Sequence, residues 1–326
     1  MQISVIGAGV AGLCAAVTLA ERGASVTVHE RAGGLGPQAA SWLAGGMLAP
    51  WCETESADRA IVEPGLAAID WWAERVPDVR REGTLVIAPA RDSGELSRFA
   101  RRIGNQAERL DEAGLAALEP VLAGRFRQSL HYPQEAHLDP RKALEALAGR
   151  LSDLDGSVCF GSSAEPAGAK GDIVVDCRGI AGDQSELRPV RGEMLILRTS
   201  EVTLSRPVRL LHPRMPVYVV PREAGRFMVG ATMLESGSTG GVTLRSAVEL
   251  MNAAYAIHPA FAEAEVEEMS AGLRPSFSDN LPRVTQSGRV VSVNGLYRHG
   301  FLLAPSCARE AADLIFGQTD QKENAA

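Results

Sequence analysis

The chain has 326 residues, 45% hydrophobic and 22% charged, with a formal net charge of −7. That composition excludes a disordered, collagen-like or membrane-bundle protein, and the length suits two domains of about 100–200 residues each. The acidic balance argues against nucleic acid or an anionic membrane as a partner, because both present phosphates that repel it.

Five scattered cysteines (Cys14, Cys52, Cys159, Cys177, Cys307) include no CxxC pair, which fits reduced thiols. No run approaches about 18 apolar residues, and the start lacks the basic and apolar regions of a signal peptide. A cytoplasmic location is the expectation. Of the 33 basic residues only Lys142, Lys170 and Lys322 are lysines. Cation chemistry therefore falls to arginine, which suits bidentate carboxylate recognition, although genome composition explains the bias equally well.

In chain order, Ile3-Ser4-Val5-Ile6 reads as a strand and Gly7-Ala8-Gly9-Val10-Ala11-Gly12 as a glycine-rich turn. Leu13, Val17 and Ala20 mark one face of a helix that Gly23 stops. Ser25-Val26-Thr27-Val28-His29-Glu30 is a second strand, ending in an acid 18 residues after Gly12. A strand–GxGxxG–helix–strand–acid unit binds a dinucleotide. Gly7 permits the turn, Gly9 lets a pyrophosphate approach, Gly12 lets helix and strand pack, and Glu30 accepts from ribose hydroxyls. The pattern does not separate FAD from NAD.

Further on, Thr84-Leu85-Val86-Ile87-Ala88 reads as a strand. Residues 139–151 read as a helix with Asp139 at the N-cap, Pro140 after it, and Leu144, Leu147 and Leu151 on one face. Residues 171–179 suit a buried parallel strand ending in a glycine turn. Residues 194–197, 217–220 and 227–229 are strands, the last two separated by a turn ending at Arg226. Helical periodicity returns at Leu244, Val248, Met251 and Tyr255, and the polar tail from Gln318 reads as frayed.

The expected class is α/β (α+β overall): a Rossmann-type dinucleotide-binding domain interleaved with a mostly antiparallel β-sheet substrate domain. The expected division gives 1–78, 136–188 and 270–320 to the first, 79–135 and 189–269 to the second, and 321–326 to the tail. The six histidines (29, 131, 137, 212, 258, 299) show no metal-ligand spacing, and no GxSxG or Walker A loop appears. The chemistry is therefore expected to belong to the bound dinucleotide.

Five segments carry a resemblance: 44–50 (AGGMLAP), 217–222 (VYVVPR), 229–233 (VGATM), 271–275 (AGLRP) and 297–305 (YRHGFLLAP). In this order, behind the N-terminal fingerprint, they resemble the glycine oxidases of the thiamine pathway, within the D-amino-acid-oxidase-like flavoproteins. The resemblance implies non-covalent FAD, with Gly7, Gly9, Val10, Ala11, Gly12, Glu30 and Arg31 around its adenosine and pyrophosphate. It places Gly45, Gly46, Met47 and Leu48 against the isoalloxazine. Gly300, Phe301, Leu302 and Leu303, at a helix start, present N–H groups to the pyrimidine oxygen, where reduction builds negative charge.

The resemblance also gives Arg274 the substrate carboxylate, Tyr218 a second donor, Arg298 a nearby positive charge and Met233 a pocket wall. Read without it, Arg274 is equally a structural arginine, Tyr218 a packing tyrosine, Met233 a core methionine, and 300–305 a buried loop before a helix. The implied reaction moves a hydride from the glycine α-carbon to flavin N5. The imine hydrolyses to glyoxylate and ammonia, and dioxygen leaves as hydrogen peroxide. The implied partners are glycine or another small amino acid, dioxygen, a thiazole synthase, and further copies of the chain in a homotetramer. The chain is short around 156–172, where the family passes backbone near the adenine, and Asp176-Cys177-Arg178-Gly179 replaces a common small-residue run. A broader D-amino acid or sarcosine oxidase and a non-catalytic flavin- or dinucleotide-binding protein are the alternatives.

Overall fold

The computed structural model describes residues 1–323 apart from Ser56, Asn105 and 212–216, with side chains as far as residue 317. His212 thus lies outside the described residues. Strand β1 (Gln2–Ile6), helix α1 (Val10–Glu21) and strand β2 (Ser25–Glu30) follow the expected order, and Gly23, at φ +87°, stops the helix. Leu13, Cys14, Ala15, Ala16, Val17 and Leu19 are all 0% exposed. A helix apolar on every side must be buried on every side, and its alanines allow close approach. It packs against the helices Pro140–Asp153 and Gly300–Glu323.

Five parallel strands form the first sheet in the order Val290–Asn294, Ile173–Asp176, β1, β2, Ser157–Phe160, with Arg283–Ser287 antiparallel at one edge. The strand expected within 171–179 lies directly beside β1. The second sheet has nine strands, antiparallel but for the pairing of Val208–Leu210 with Thr84–Ile87. Next to one edge of it Arg188–Arg198 pairs with Arg226–Gly230 on one side and with the edge strand Glu265–Ser276 on the other. The chain leaves the first sheet for the second and returns twice, so the α/β class with an interleaved antiparallel sheet is observed.

Three details differ from expectation. The division at 270 falls inside Glu265–Ser276, which stays bonded to the second sheet throughout. The helix Leu244–Ile257 forms, but Leu244, Val248 and Tyr255 are 82%, 46% and 53% exposed, while Leu250, Ala254 and Ile257 meet the core. Its sequence carries two apolar stripes, and contacts with Phe227 and Phe261 select the second. The last helix runs to Glu323 and so takes in 318–323 of the expected tail, and 324–326 lies outside the described residues. No described helix is long and apolar enough to cross a membrane.

Candidate active site

One cleft of about 310 Å³ runs from the end of β1 to the edge of the second sheet. At its first end the glycines have different tasks. Gly7 adopts φ +100°, where a side chain is strained; a Cβ on Gly12 would stand 1.8 Å from the Gly7 carbonyl oxygen. A Cβ on Gly9 would meet only the Ser41 Oγ, at 3.5 Å, so the backbone there is open to approach. Gly9 caps α1 without a side chain, and the Val10 N–H donates to Ser41 Oγ at 3.2 Å. Glu30 is buried at the end of β2, accepting from the Ala8 and Ala32 N–H groups at 2.9 and 3.0 Å. An open glycine at a helix N-terminus with a fixed carboxylate beside it fits the pyrophosphate and ribose of a dinucleotide.

Of the expected cofactor residues, Gly7, Gly9, Val10, Ala11, Glu30, Arg31, Gly45, Gly46, Met47, Gly300, Phe301 and Leu302 line this cleft. Gly12, Leu48 and Leu303 are buried behind the lining. The shortened stretch still reaches the wall through Ser162 to Glu165. There Arg178 binds Asp176 through two nitrogens, Asp183 at 2.9 Å, and Glu165. The start of the last helix is held by the buried Trp72, whose Nε1–H donates to the Phe301 carbonyl at 2.7 Å.

Arg274, Tyr218 and Arg298 line the other end, although they lie on different elements. The half-buried Arg274 guanidinium lies over Gly192, where a Cβ would come within 2.2 Å of it. It donates to the Thr232 carbonyl at 3.0 Å, and burial lowers its pKa. The Tyr218 ring lies against Gly45, where a Cβ would approach to 2.7 Å, so the loop carrying Gly45 packs on the second sheet at this contact. Met233 stands on the rim, 40% exposed and outside the lining, because its segment has already left the strand Arg226–Gly230. Its sulfur is 3.1 Å from Arg298 Nη1 and 3.7 Å from the Tyr297 hydroxyl.

Sequence reasoning missed Glu53, Arg209, Gly192, Arg222 and Tyr297. Glu53 lines the cleft and takes Arg209 at 3.2 Å and Arg298 at 3.3 Å. Arg222 reaches from the second sheet to donate to the carbonyls of Leu138 at 2.9 Å and Gly45 at 2.6 Å. Arg222 and Tyr297 carried a signal, since each ends or opens a segment that bears the resemblance, and Glu53 lies three residues beyond another.

A family model described as DAO, FAD dependent oxidoreductase, matches residues 2–314. The chain belongs to this family. A Rhizobium etli protein with the provisional name thiamine biosynthesis oxidoreductase ThiO is 57% identical over 329 residues, covering all of both chains. A Nostoc bifunctional protein ThiO/ThiG is 28% identical, covering 97% of this chain and 53% of its own length. Among solved structures, glycine oxidase from Geobacillus kaustophilus superposes with a TM-score of 0.80 at 22% identity, over 96% of this chain and 94% of its own. That likeness shows a shared fold, and the family makes the dinucleotide of the cleft FAD.

Proposed function

We propose that this FAD-dependent oxidoreductase oxidises the Cα–N bond of glycine or another small amino acid. The product imine hydrolyses to glyoxylate and ammonia, with dioxygen reduced to hydrogen peroxide. The observation that carries the reading is Arg274, a half-buried guanidinium in the cleft with no carboxylate partner among the described residues. A partly desolvated cation left unpaired is costly, and a substrate carboxylate supplies the missing partner. Arg274 grips that carboxylate, and the Tyr218 hydroxyl adds a second donor.

Gly45, Gly46 and Met47 line the part of the cleft that would hold the flavin, and FAD when bound would supply the hydride acceptor for the α-carbon. The fixed positive charge of Arg274 disfavours an ammonium beside it, so the amine is held neutral and its lone pair is free to form the C=N bond. No dedicated base is required, and the chain's main contribution is to hold the α-carbon in place. The names of the Rhizobium and Nostoc relatives support a role in thiamine biosynthesis, with a thiazole synthase as consumer of the imine. FAD is held without a covalent bond, so acid precipitation releases it into the supernatant.

The test is anaerobic mixing of flavin-loaded protein with glycine, sarcosine or D-alanine, beside Arg274→Ala. Bleaching by glycine that air reverses with peroxide release, and that the variant greatly weakens, is the expected result. Bleaching indifferent to Arg274 would discard the anchor, and no bleaching by any of the three would discard the substrate class.

A further inference from the structure

The two arginines at the substrate end have different surroundings. Arg274 has no ion pair among the described residues, whereas Arg298 donates to Glu53 Oε1 at 3.3 Å. Glu53 is 9% exposed and ends the short helix Pro50–Glu53 that follows the loop carrying Met47. It also accepts from Arg209 at 3.2 Å, but Arg209 has a second carboxylate in Glu55 at 2.6 Å. Arg209 and Glu55 therefore cancel, Arg298 and Glu53 cancel, and burial lowers the His299 pKa and keeps that ring neutral. One uncompensated cation remains, on Arg274.

We propose that Glu53 is a specificity determinant that confines this site to substrates with a single carboxylate, by occupying Arg298 as its counter-charge. The inference deepens the proposed function and rests on it. A second substrate carboxylate would find Arg298 already paired and a buried anion beside it. Glu53 Oε2 strengthens the exclusion, because it has no hydrogen-bond partner and the neutral His299 ring stands beside it with Nδ1 3.5 Å away. Burial works to raise the Glu53 pKa, yet Arg298 and Arg209 pull it down to about 2, so the group is anionic at neutral pH. Because Glu53 acts through Arg298, it is a positioning residue, and the relevant readout is a ratio between ligands.

The probes are acetate and malonate, one and two carboxylates on a similar frame, titrated into flavin-loaded protein and read by perturbation of the flavin spectrum. Wild type should bind malonate no more tightly than acetate, despite two arginines in the cleft. Malonate tighter by about tenfold or more would show Arg298 to be a free anion site and would overturn the inference without any variant. In Glu53→Gln, which keeps an acceptor for Arg209, malonate should tighten by about tenfold or more while acetate stays within about threefold. Adding Arg298→Met should abolish that gain. A carboxylate that merely anchors Arg209 would leave the malonate-to-acetate ratio unchanged, which overturns the inference. No spectral change with either anion overturns it too, whereas failure of glycine, sarcosine and D-alanine to bleach the flavin overturns the substrate reading itself.

Discussion

Replacing Gly192 by alanine tests Arg274 without altering it. A Cβ at this position would lie 2.2 Å from Nη2, 2.3 Å from Cζ and 2.5 Å from Nη1 of Arg274. Non-bonded heavy atoms settle at about 3.5–4.0 Å, so the guanidinium must retreat by more than about 1 Å. Gly192 lies within the strand Arg188–Arg198, paired with Gly272, and its backbone is not left-handed, so alanine adds no local strain. The clash is with the end of a flexible side chain, which yields before the sheet does. Hydrogen bonds to a charged partner contribute about 1.5–3 kcal/mol, a factor of roughly 10 to 150 in affinity. Acetate affinity, read from the flavin spectrum, and kcat/KM for glycine should fall together by that factor, with melting temperature and flavin content near wild type. A folded, flavin-loaded Gly192→Ala protein within about twofold of wild type in both would refute the placement of the carboxylate on Arg274.

Gly12→Ala should prevent flavin retention and lower stability by at least the roughly 1–3 kcal/mol of an overpacked site, because its Cβ would stand 1.8 Å from a backbone oxygen. Flavin content and thermal melting check this, and normal retention would contradict the packing. Glu135 is buried and its pKa is pushed up by burial from 4.5 to about 7, so its stabilising contribution is complete below about pH 4.5 and lost as pH rises through about 7. The stability of Glu135→Gln relative to wild type should therefore grow across that window by about 3 kcal/mol in urea titrations, and parallel pH profiles would argue against it. Arg222→Met removes two bonds to the Leu138 and Gly45 carbonyls and should weaken FAD binding roughly tenfold, measured by flavin fluorescence against apoprotein.

The nucleotide half was legible because its signals are local. Three glycines, an apolar strand and Glu30 lie within thirty residues, and each has its own steric or electrostatic reason. The second sheet was only partly legible. Val217–Pro221 and Arg226–Gly230 show clear apolar runs, but Glu108–Asp111 is a polar, largely exposed strand whose sequence gives no alternation. Glu265–Ser276 mixes acids, glycine and proline along an outer strand, and only its pairing with Arg188–Arg198 defines it. At the site, Arg274 and Tyr218 were marked by the resemblance rather than by spacing. Glu53 meets Arg298 across a separation of 245 residues, and Gly192 matters because Arg274 needs the room, so neither has a local pattern to read.

The weaving of the chain between two sheets also governs how the molecule comes apart. The loop bearing Gly45 is braced by Tyr218 and Arg222 from the second sheet, and Arg141 stacks over Trp42 while pairing with Glu268 of that sheet. Because the chain passes between the sheets four times, melting either one releases the ends of segments that the other pairs. Denaturation is then one event in which colour, substrate grip and secondary structure vanish together, and proteolytic nicking yields no half that still holds its flavin.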